Sequence, residues 1–270
     1  MDRLKGKVAI VTGAGRAGNI GVAICQAFLH EGAKAVIGTD MRTDGADAIA
    51  AQIGEADCHR FRLVQQDVTT ASGWEQLVAE ITAEFGGLDV LVNNAGIAIH
   101  GGIEHSSLDD LRKVMAVNHD ALFLGMKHCA PALAEAIDRF PGGGAIINTC
   151  SMASYKPNAQ NVGYHVSKAA ARMLTMCGAV EFGPRRIRVN SVHPGLTVTP
   201  LIYEALEEYS ASGMFNSVEE GLADITNRNP LRIAGQPEDA AAAFVYLASD
   251  EARFVTGASI IHDGGLGERY

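Results

Sequence analysis

Apolar runs too short for helices alternate with stretches of helical periodicity along most of this chain, and that alternation leaves few folds open to it. Val8-Ala9-Ile10-Val11 lies in a strand predicted over residues 7–12; a Gly-rich turn follows, and helical periodicity then runs from Val22 to Glu31 and stops at Gly32. The cycle repeats with Ala35-Val36-Ile37 ending at Asp40, a helix over about residues 45–53, a strand over 61–66 before Asp67, a helix over about 73–85, and the run Leu88-Asp89-Val90-Leu91-Val92. Strands without polar alternation are covered on both faces, and parallel neighbours are joined by right-handed helical crossovers. The predicted class is α/β, a parallel sheet with helices on both sides.

The second half continues with longer helices. Residues 108 to about 139 read as one helix, with Pro131 inside it as a kink or break. Gly142-Gly143-Gly144 resets the chain before the strand Ala145-Ile146-Ile147-Asn148-Thr149-Cys150; a helix follows over about 159–182, and residues 187–192 form a sixth strand stopped by His193-Pro194-Gly195. Residues 198–232 are less regular, with short helical pieces carrying Leu201, Ile202, Leu206, Tyr209, Met214 and Phe215, and read as an apolar cover over a site. A helix over 237–249 and a strand over 258–262 follow. No linker, repeat or low-complexity run divides the chain, so residues 1–270 are expected to form one domain.

A hydrophobic fraction of 47% and a mean hydropathy of +0.08 supply ample core for such a domain. The net charge of −9 and pI near 5.4 argue against nucleic acid and anionic membranes as partners and leave a small molecule as the expected one. Arg185-Arg186-Ile187-Arg188, the one basic run, reads as a solvated strand entrance. Five cysteines, an odd number with no Cys-x-x-Cys pair, read as reduced thiols. The charged start holds no apolar run before the first strand and no stretch has membrane-spanning length, so a cytoplasmic location is expected. Nine histidines offer no metal-ligand spacing, and no metal is expected.

Thr12-Gly13-Ala14-Gly15-Arg16-Ala17-Gly18-Asn19-Ile20-Gly21 joins the first strand to the first helix, which is the setting of a dinucleotide-binding turn. Glycines let the chain turn sharply and let backbone N–H groups approach a pyrophosphate at the positive end of a helix. Whether Gly15 or Gly18 serves the phosphates stays open, while Asn19 and Ile20 are placed nearest the cofactor. Asp40 ends the second strand, where a carboxylate can accept from the adenosine ribose hydroxyl and repel a 2′-phosphate, favouring NAD over NADP. Arg16 and Arg42 argue the other way, since either could meet a 2′-phosphate. Asp67, at the end of the third strand, suits the adenine edge or an ordinary turn.

Tyr164 and Lys168 are four residues apart, so on a helix they share one face. Ser151 follows the strand over 145–150, so a hydroxyl, a phenol and an ammonium are expected to converge at the carboxyl end of the sheet, where open α/β sheets bind ligands. An isolated phenol titrates near about 10, so a base at neutral pH needs help; the Lys168 charge and a positive nicotinamide ring favour the tyrosinate. Ser151 would steady the charge developing on a substrate oxygen. Met152, His100, Ile97, Ser154, Tyr155 and Asn158 are candidates for a mostly apolar substrate wall, with an unengaged loop position as the alternative for His100.

Taken in order, the Gly loop, Asp67-Val68, Asn93-Asn94-Ala95-Gly96, Asn118, Ser151, Tyr164-x-x-x-Lys168, Pro194-Gly195 and the ending at 257–265 resemble the single-domain branch of the short-chain dehydrogenase/reductase family over essentially the whole chain. The resemblance implies a Rossmann-like, doubly wound sheet of seven parallel strands and NAD(P)-dependent interconversion of alcohols and carbonyls. Asn118, Ser151, Tyr164 and Lys168 match the family's catalytic tetrad, with Asn118 tying the lysine to a proton path and Lys168 also holding the nicotinamide ribose. The resemblance adds Val68, Asn94, Gly96, Pro194, Gly195 and Thr197 to the cofactor contacts of Gly13, Arg16, Gly18, Asn19, Ile20, Asp40, Asp67, Tyr164 and Lys168. One departure stands out: Gly13, Gly18 and Gly21 are each one residue further apart than in the usual Thr-Gly-x-x-x-Gly-x-Gly.

Leu122-Phe123-Leu124-Gly125-Met126-Lys127 is similar to segments of members acting on cyclic alcohols and hydroxysteroids. The reading is therefore an NAD-dependent oxidoreductase for a hydrophobic or cyclic secondary alcohol. The alternatives are an NADPH-dependent ketone or 3-oxoacyl reductase and a non-catalytic dinucleotide sensor. A homotetramer is implied by the resemblance, and the 257–265 ending with the tail Glu268-Arg269-Tyr270 is compatible with it.

Overall fold

Ala9 and Val11 of the first strand belong to one hydrophobic core, Val8 and Ile10 to the other. The same split recurs in Val36 against Ile37, in Val90 and Val92 against Leu91, and in Ala145 and Ile147 against Ile146. Period-two alternation with apolar residues on both faces is what a central strand of a two-sided sheet requires. In the computed structural model, which describes residues 2–268, the strands are β1 (Val8–Thr12), β2 (Ala35–Asp40), β3 (Phe61–Gln65), β4 (Val90–Asn93), β5 (Gly144–Thr149), β6 (Ile187–Pro194) and β7 (Ser259–His262). All neighbours pair parallel, in the order β3-β2-β1-β4-β5-β6-β7, so the doubly wound seven-strand expectation holds. Residues 269–270 of the predicted tail lie outside the described residues.

The helices are α1 (Ile20–His30), α2 (Ala46–Ile53), α3 (Glu55–Cys58), α4 (Ala71–Phe85), α5 (Leu108–Met115), α6 (Ala121–Ala134), α7 (Val162–Phe182), α8 (Pro200–Ala211), α9 (Val218–Arg228) and α10 (Pro237–Ala248). Phe28 of α1, Ile49 of α2 and Phe244 of α10 fill the core on one face; Trp74 of α4, Leu133 of α6 and Phe182 of α7 fill the other. Each such side chain contributes about 1.5–3 kcal/mol by leaving water. Trp74 keeps its polar edge satisfied by donating its indole N–H to the Val68 carbonyl at 2.9 Å.

Four predicted features differ. The helix expected over 108–139 is divided into α5 and α6 by a π-helical turn over Ala116–Asp120, where the Ala121 N–H reaches back to the Ala116 carbonyl. Pro131 does not break the chain: it sits exposed near the end of α6, where few helical bonds remain downstream, and the helix passes through it before tightening into a 3-10 turn at Glu135–Asp138. Arg188, read as part of a solvated entrance, is buried and donates to the carbonyls of Gly142 (3.1 Å) and Ser249 (3.3 Å). The amino end of β6 is closed over by other chain segments whose carbonyls need donors, and burial pushes the guanidinium down to about 10.

The cover is formed by two full helices, α8 and α9, rather than short pieces. Thr199 Oγ1 accepts from the Ile202 N–H ahead of Pro200, and Ser217 Oγ accepts from the Glu220 N–H, so both starts carry ordinary capping signals. Cys25, Cys129 and Cys150 are buried, Cys58 is half-buried, Cys177 is exposed, and all five are unbridged. No described helix is long and apolar enough to cross a membrane.

Candidate active site

Strand order reverses between β1 and β4, and a cleft of about 850 Å³ opens beyond their carboxyl ends. Thr12 stitches the two strands at that point. Its Oγ1 accepts the N–H groups of Asn94 (2.9 Å) and Ala95 (3.0 Å), and Asn94 Nδ2 donates back to the Thr12 carbonyl at 3.0 Å. Gly13 follows at φ +71°, and a Cβ there would stand 2.8 Å from the Ala95 Cα, so a side chain is excluded both by conformation and by space. Asn19 then starts α1: its Oδ1 accepts from the Val22 N–H at 2.8 Å and its Nδ2 donates to the Gly13 carbonyl at 2.9 Å.

All the predicted cofactor residues except Gly18 border this cleft. The lengthened loop explains the exception. Gly15 donates its N–H to Asp40 Oδ2 at 2.9 Å and packs so closely that a Cβ would stand 2.4 Å from that side chain. Gly18 instead turns its N–H to Gln52 Oε1 at 2.9 Å. Asp40 Oδ1 accepts the Arg42 N–H at 3.1 Å, so the carboxylate is fixed at the end of β2 with a lone pair to spare on each oxygen. Asp67 makes the turn that the sequence left open, its Oδ1 accepting the Thr69 N–H (2.9 Å) and hydroxyl (2.6 Å), while the residue still borders the cleft. Arg16 is paired with Glu204 of α8.

Ser151, Tyr164 and Lys168 border the same cleft. Lys168 is buried, donates to the Thr149 carbonyl at 2.8 Å, and holds its Nζ 5.6 Å from the centre of the Tyr164 ring. Ser151 Oγ accepts the Ala153 N–H at 3.1 Å, which leaves the hydroxyl hydrogen free to donate. Asn118 is brought behind this group by the π turn and does not border the cleft. Its Oδ1 accepts the Ile97 N–H (2.8 Å), and its Nδ2 donates to the Ile97 carbonyl (2.9 Å) and to Ser167 Oγ (3.0 Å). The side chain thus clamps the segment after β4 onto α7.

Of the predicted substrate-wall residues only Ile97 borders the cleft; His100, Met152, Ser154, Tyr155 and Asn158 stand apart from its lining. His100 rests edge-on against Tyr209 of α8, ring centres 5.3 Å apart, and Met152 is buried beneath the chain end, where its Cε limits the space at Gly267. Conversely, Lys113, Ala116, Val117, Thr199 and Glu204 border the cleft and escaped the sequence reading. The Thr199-Pro200 capping pair could have signalled α8, and hence Glu204; nothing local marks the others. The donor set fits a dinucleotide: a helix start for a pyrophosphate, a fixed carboxylate at the β2 end for a ribose, and apolar walls such as Val68, Ile97 and Val117 for aromatic rings.

The family model described as enoyl-(acyl carrier protein) reductase matches residues 13–267. The 2,5-dichloro-2,5-cyclohexadiene-1,4-diol dehydrogenase of Sphingobium indicum is 37% identical over 98% of this chain and 97% of its own. The NADP-dependent (R)-specific alcohol dehydrogenase of Lentilactobacillus kefiri is 38% identical over 98% of each chain. A Burkholderia xenovorans structure described as a short-chain dehydrogenase/reductase superposes with a TM-score of 0.90 at 35% identity and full coverage of both chains. With the fold, the turn at β1 and the Ser151, Tyr164 and Lys168 cleft, these matches establish that the chain belongs to the short-chain dehydrogenase/reductase family of NAD(P)-dependent oxidoreductases.

Proposed function

We propose that the protein is an NAD-preferring dehydrogenase that interconverts hydrophobic or cyclic secondary alcohols and their ketones. The observation that carries this reading is that Ser151, Tyr164 and Lys168 border the same cleft as Gly13 and Asp40. The nicotinamide coenzyme supplies the hydride acceptor for alcohol oxidation and the donor for ketone reduction. Tyr164, as the phenolate, takes the hydroxyl proton at its oxygen in oxidation, and, as the phenol, gives a proton to the substrate oxygen in reduction. Ser151 donates its free hydroxyl hydrogen to the substrate oxygen, and the buried Lys168 ammonium stands beside the phenol where negative charge develops. Asn118 positions rather than touches, through Ile97 and Ser167.

The NAD preference rests on Asp40, whose fixed carboxylate repels a 2′-phosphate, and on Glu204, which occupies the Arg16 guanidinium. Arg16 is also the observation that favours the NADP alternative, together with the NADP-dependent relative. Saturation kinetics with both coenzymes on one panel of cyclic and hydrophobic alcohols decides: a higher kcat/KM with NAD⁺ is expected, and a strong preference for NADP⁺ would overturn the assignment of Asp40.

The tetramer reading is supported by unpartnered apolar faces. Val166, Met173 and Val180 recur every seven residues along α7 and are exposed, as are Phe123 of α6, Phe254 in the turn ahead of β7 and Ile261 of β7.

A further inference from the structure

Ser151 is held from behind by a residue that neither borders the cleft nor belongs to the tetrad. His193, the next-to-last residue of β6, is wholly buried, and its Nδ1 lies 3.0 Å from the Ser151 carbonyl. A carbonyl only accepts, so Nδ1 carries the hydrogen and Nε2 must be the bare nitrogen of the neutral ring. Ser191 Oγ stands 2.8 Å from Nε2 and 3.4 Å from the Ala258 carbonyl, so its single hydrogen goes to the nearer nitrogen and supplies the matching donor; it also lies 3.2 Å from Ser259 Oγ on β7. Tyr155 packs on the imidazole, ring centres 5.0 Å apart and planes tilted by 53°. The chain of contacts therefore runs from the edge strand β7 through β6 to the backbone at the end of β5.

We propose that His193 is a positioning residue for Ser151, acting as a hydrogen-bond donor locked in the Nδ1–H tautomer by Ser191. The Ser151 carbonyl lies on the same residue as the reactive hydroxyl, so fixing it fixes ψ (165°) and the direction of the Cα–Cβ bond. The Ala153 N–H then sets the position of Oγ at 3.1 Å. Two donors, one on the carbonyl and one on Oγ, hold the serine so that no reorganisation is needed as charge develops on the substrate oxygen. This inference rests on the proposed role of Ser151.

The test pairs His193→Asn, which keeps an N–H donor near the position of Nδ1, with His193→Phe, which keeps a ring and removes the donor. His193→Phe is expected to lower kcat by at least about tenfold, a fraction of the roughly 10²–10³-fold that losing an oxyanion donor outright costs. Its dissociation constant for the coenzyme, read by nicotinamide fluorescence, should stay within about twofold of wild type, and His193→Asn should recover most of kcat. A folded His193→Phe protein with wild-type kcat, or a His193→Asn protein as slow as His193→Phe, would overturn the proposal. Should His193→Phe fail to fold, ¹⁵N NMR of the histidine rings in the wild-type protein at neutral pH is decisive, the His193 signals being assigned by their loss in His193→Asn. A protonated Nδ1 and bare Nε2 are expected, and the opposite tautomer or an imidazolium contradicts the proposal. Ser151→Ala separates the two levels: if it retains full kcat, the reading of Ser151 fails; if it is slow while His193→Phe is not, only the positioning role fails.

Discussion

Single residues carry the chemistry, and two of them answer to pH or charge in ways that can be measured. His193 is held well below an ordinary imidazole, at about 4, because burial disfavours its charged form; the Arg172 and Lys168 charges act in the same direction and the Ser151 carbonyl opposes them. In the unfolded chain the ring titrates near about 6.5, so between these values the unfolded state binds the additional proton. The contribution is therefore fully present above about 6.5 and is lost as pH falls through about 4, in total roughly 3 kcal/mol. Urea unfolding at neutral pH and near pH 4 should show this loss in the wild type, and a smaller one in His193→Asn. Asp40 provides the second case. Replacing it by Ala removes the charge opposed to a 2′-phosphate and the acceptor for the Gly15 N–H, and we expect the NADP⁺/NAD⁺ ratio of kcat/KM to rise by about tenfold, equivalent to about 1.4 kcal/mol. The place of Asp40 was legible because the apolar run before it marks the end of a buried strand, and the residue does end β2 and border the cleft. His193 was not, since a histidine before Pro-Gly reads locally as the stop of a strand, and the Ser151 carbonyl it meets is supplied by the chain beyond the neighbouring β5.

At the scale of elements, the π turn between α5 and α6 is what turns Asn118 toward the segment after β4. Its side chain makes three hydrogen bonds in the interior, and Asn118→Leu would strand the Ile97 N–H and carbonyl. An unpaired buried group costs about 1–3 kcal/mol, so we expect the unfolding free energy to fall by at least about 2 kcal/mol in urea titration, with kcat reduced as well. The sequence placed the interruption at Pro131 because proline is the visible helix breaker; a π turn leaves no residue type as its signature. The strands were legible for the opposite reason. Their unbroken apolar runs are demanded by burial on both faces, a constraint that acts on every residue and needs no tertiary knowledge. The cover was half legible: its apolar residues were seen, but the docking of Pro200 beside Gly18 and the pairing of Glu204 with Arg16 depend on distant parts of the chain.

The whole molecule separates its two ends by chemistry. Beyond the carboxyl ends of the strands lies the cleft; at the other end buried cations tie the sheet shut, with Lys7 3.0 Å from Asp250 and 4.3 Å from the centre of the Phe140 ring. On the outside, α7 presents Val166, Met173 and Val180 with nothing described to cover them. If copies of the chain pack through this face, Met173→Glu combined with Val180→Glu should shift the particle in light scattering from a tetramer toward smaller species, whereas an unchanged mass would exclude the face from the assembly. In the proposed reaction this cleft oxidises alcohols with Tyr164 as the proton acceptor. Reduced-nicotinamide absorbance with a panel of cyclic secondary alcohols, in wild type and Tyr164→Phe, tests it most directly. We expect turnover of at least one alcohol by the wild type and a loss of about 10²–10⁴-fold in kcat in the variant at unchanged coenzyme affinity; Tyr164→Phe turning over as fast as the wild type would rule out Tyr164 as the proton acceptor.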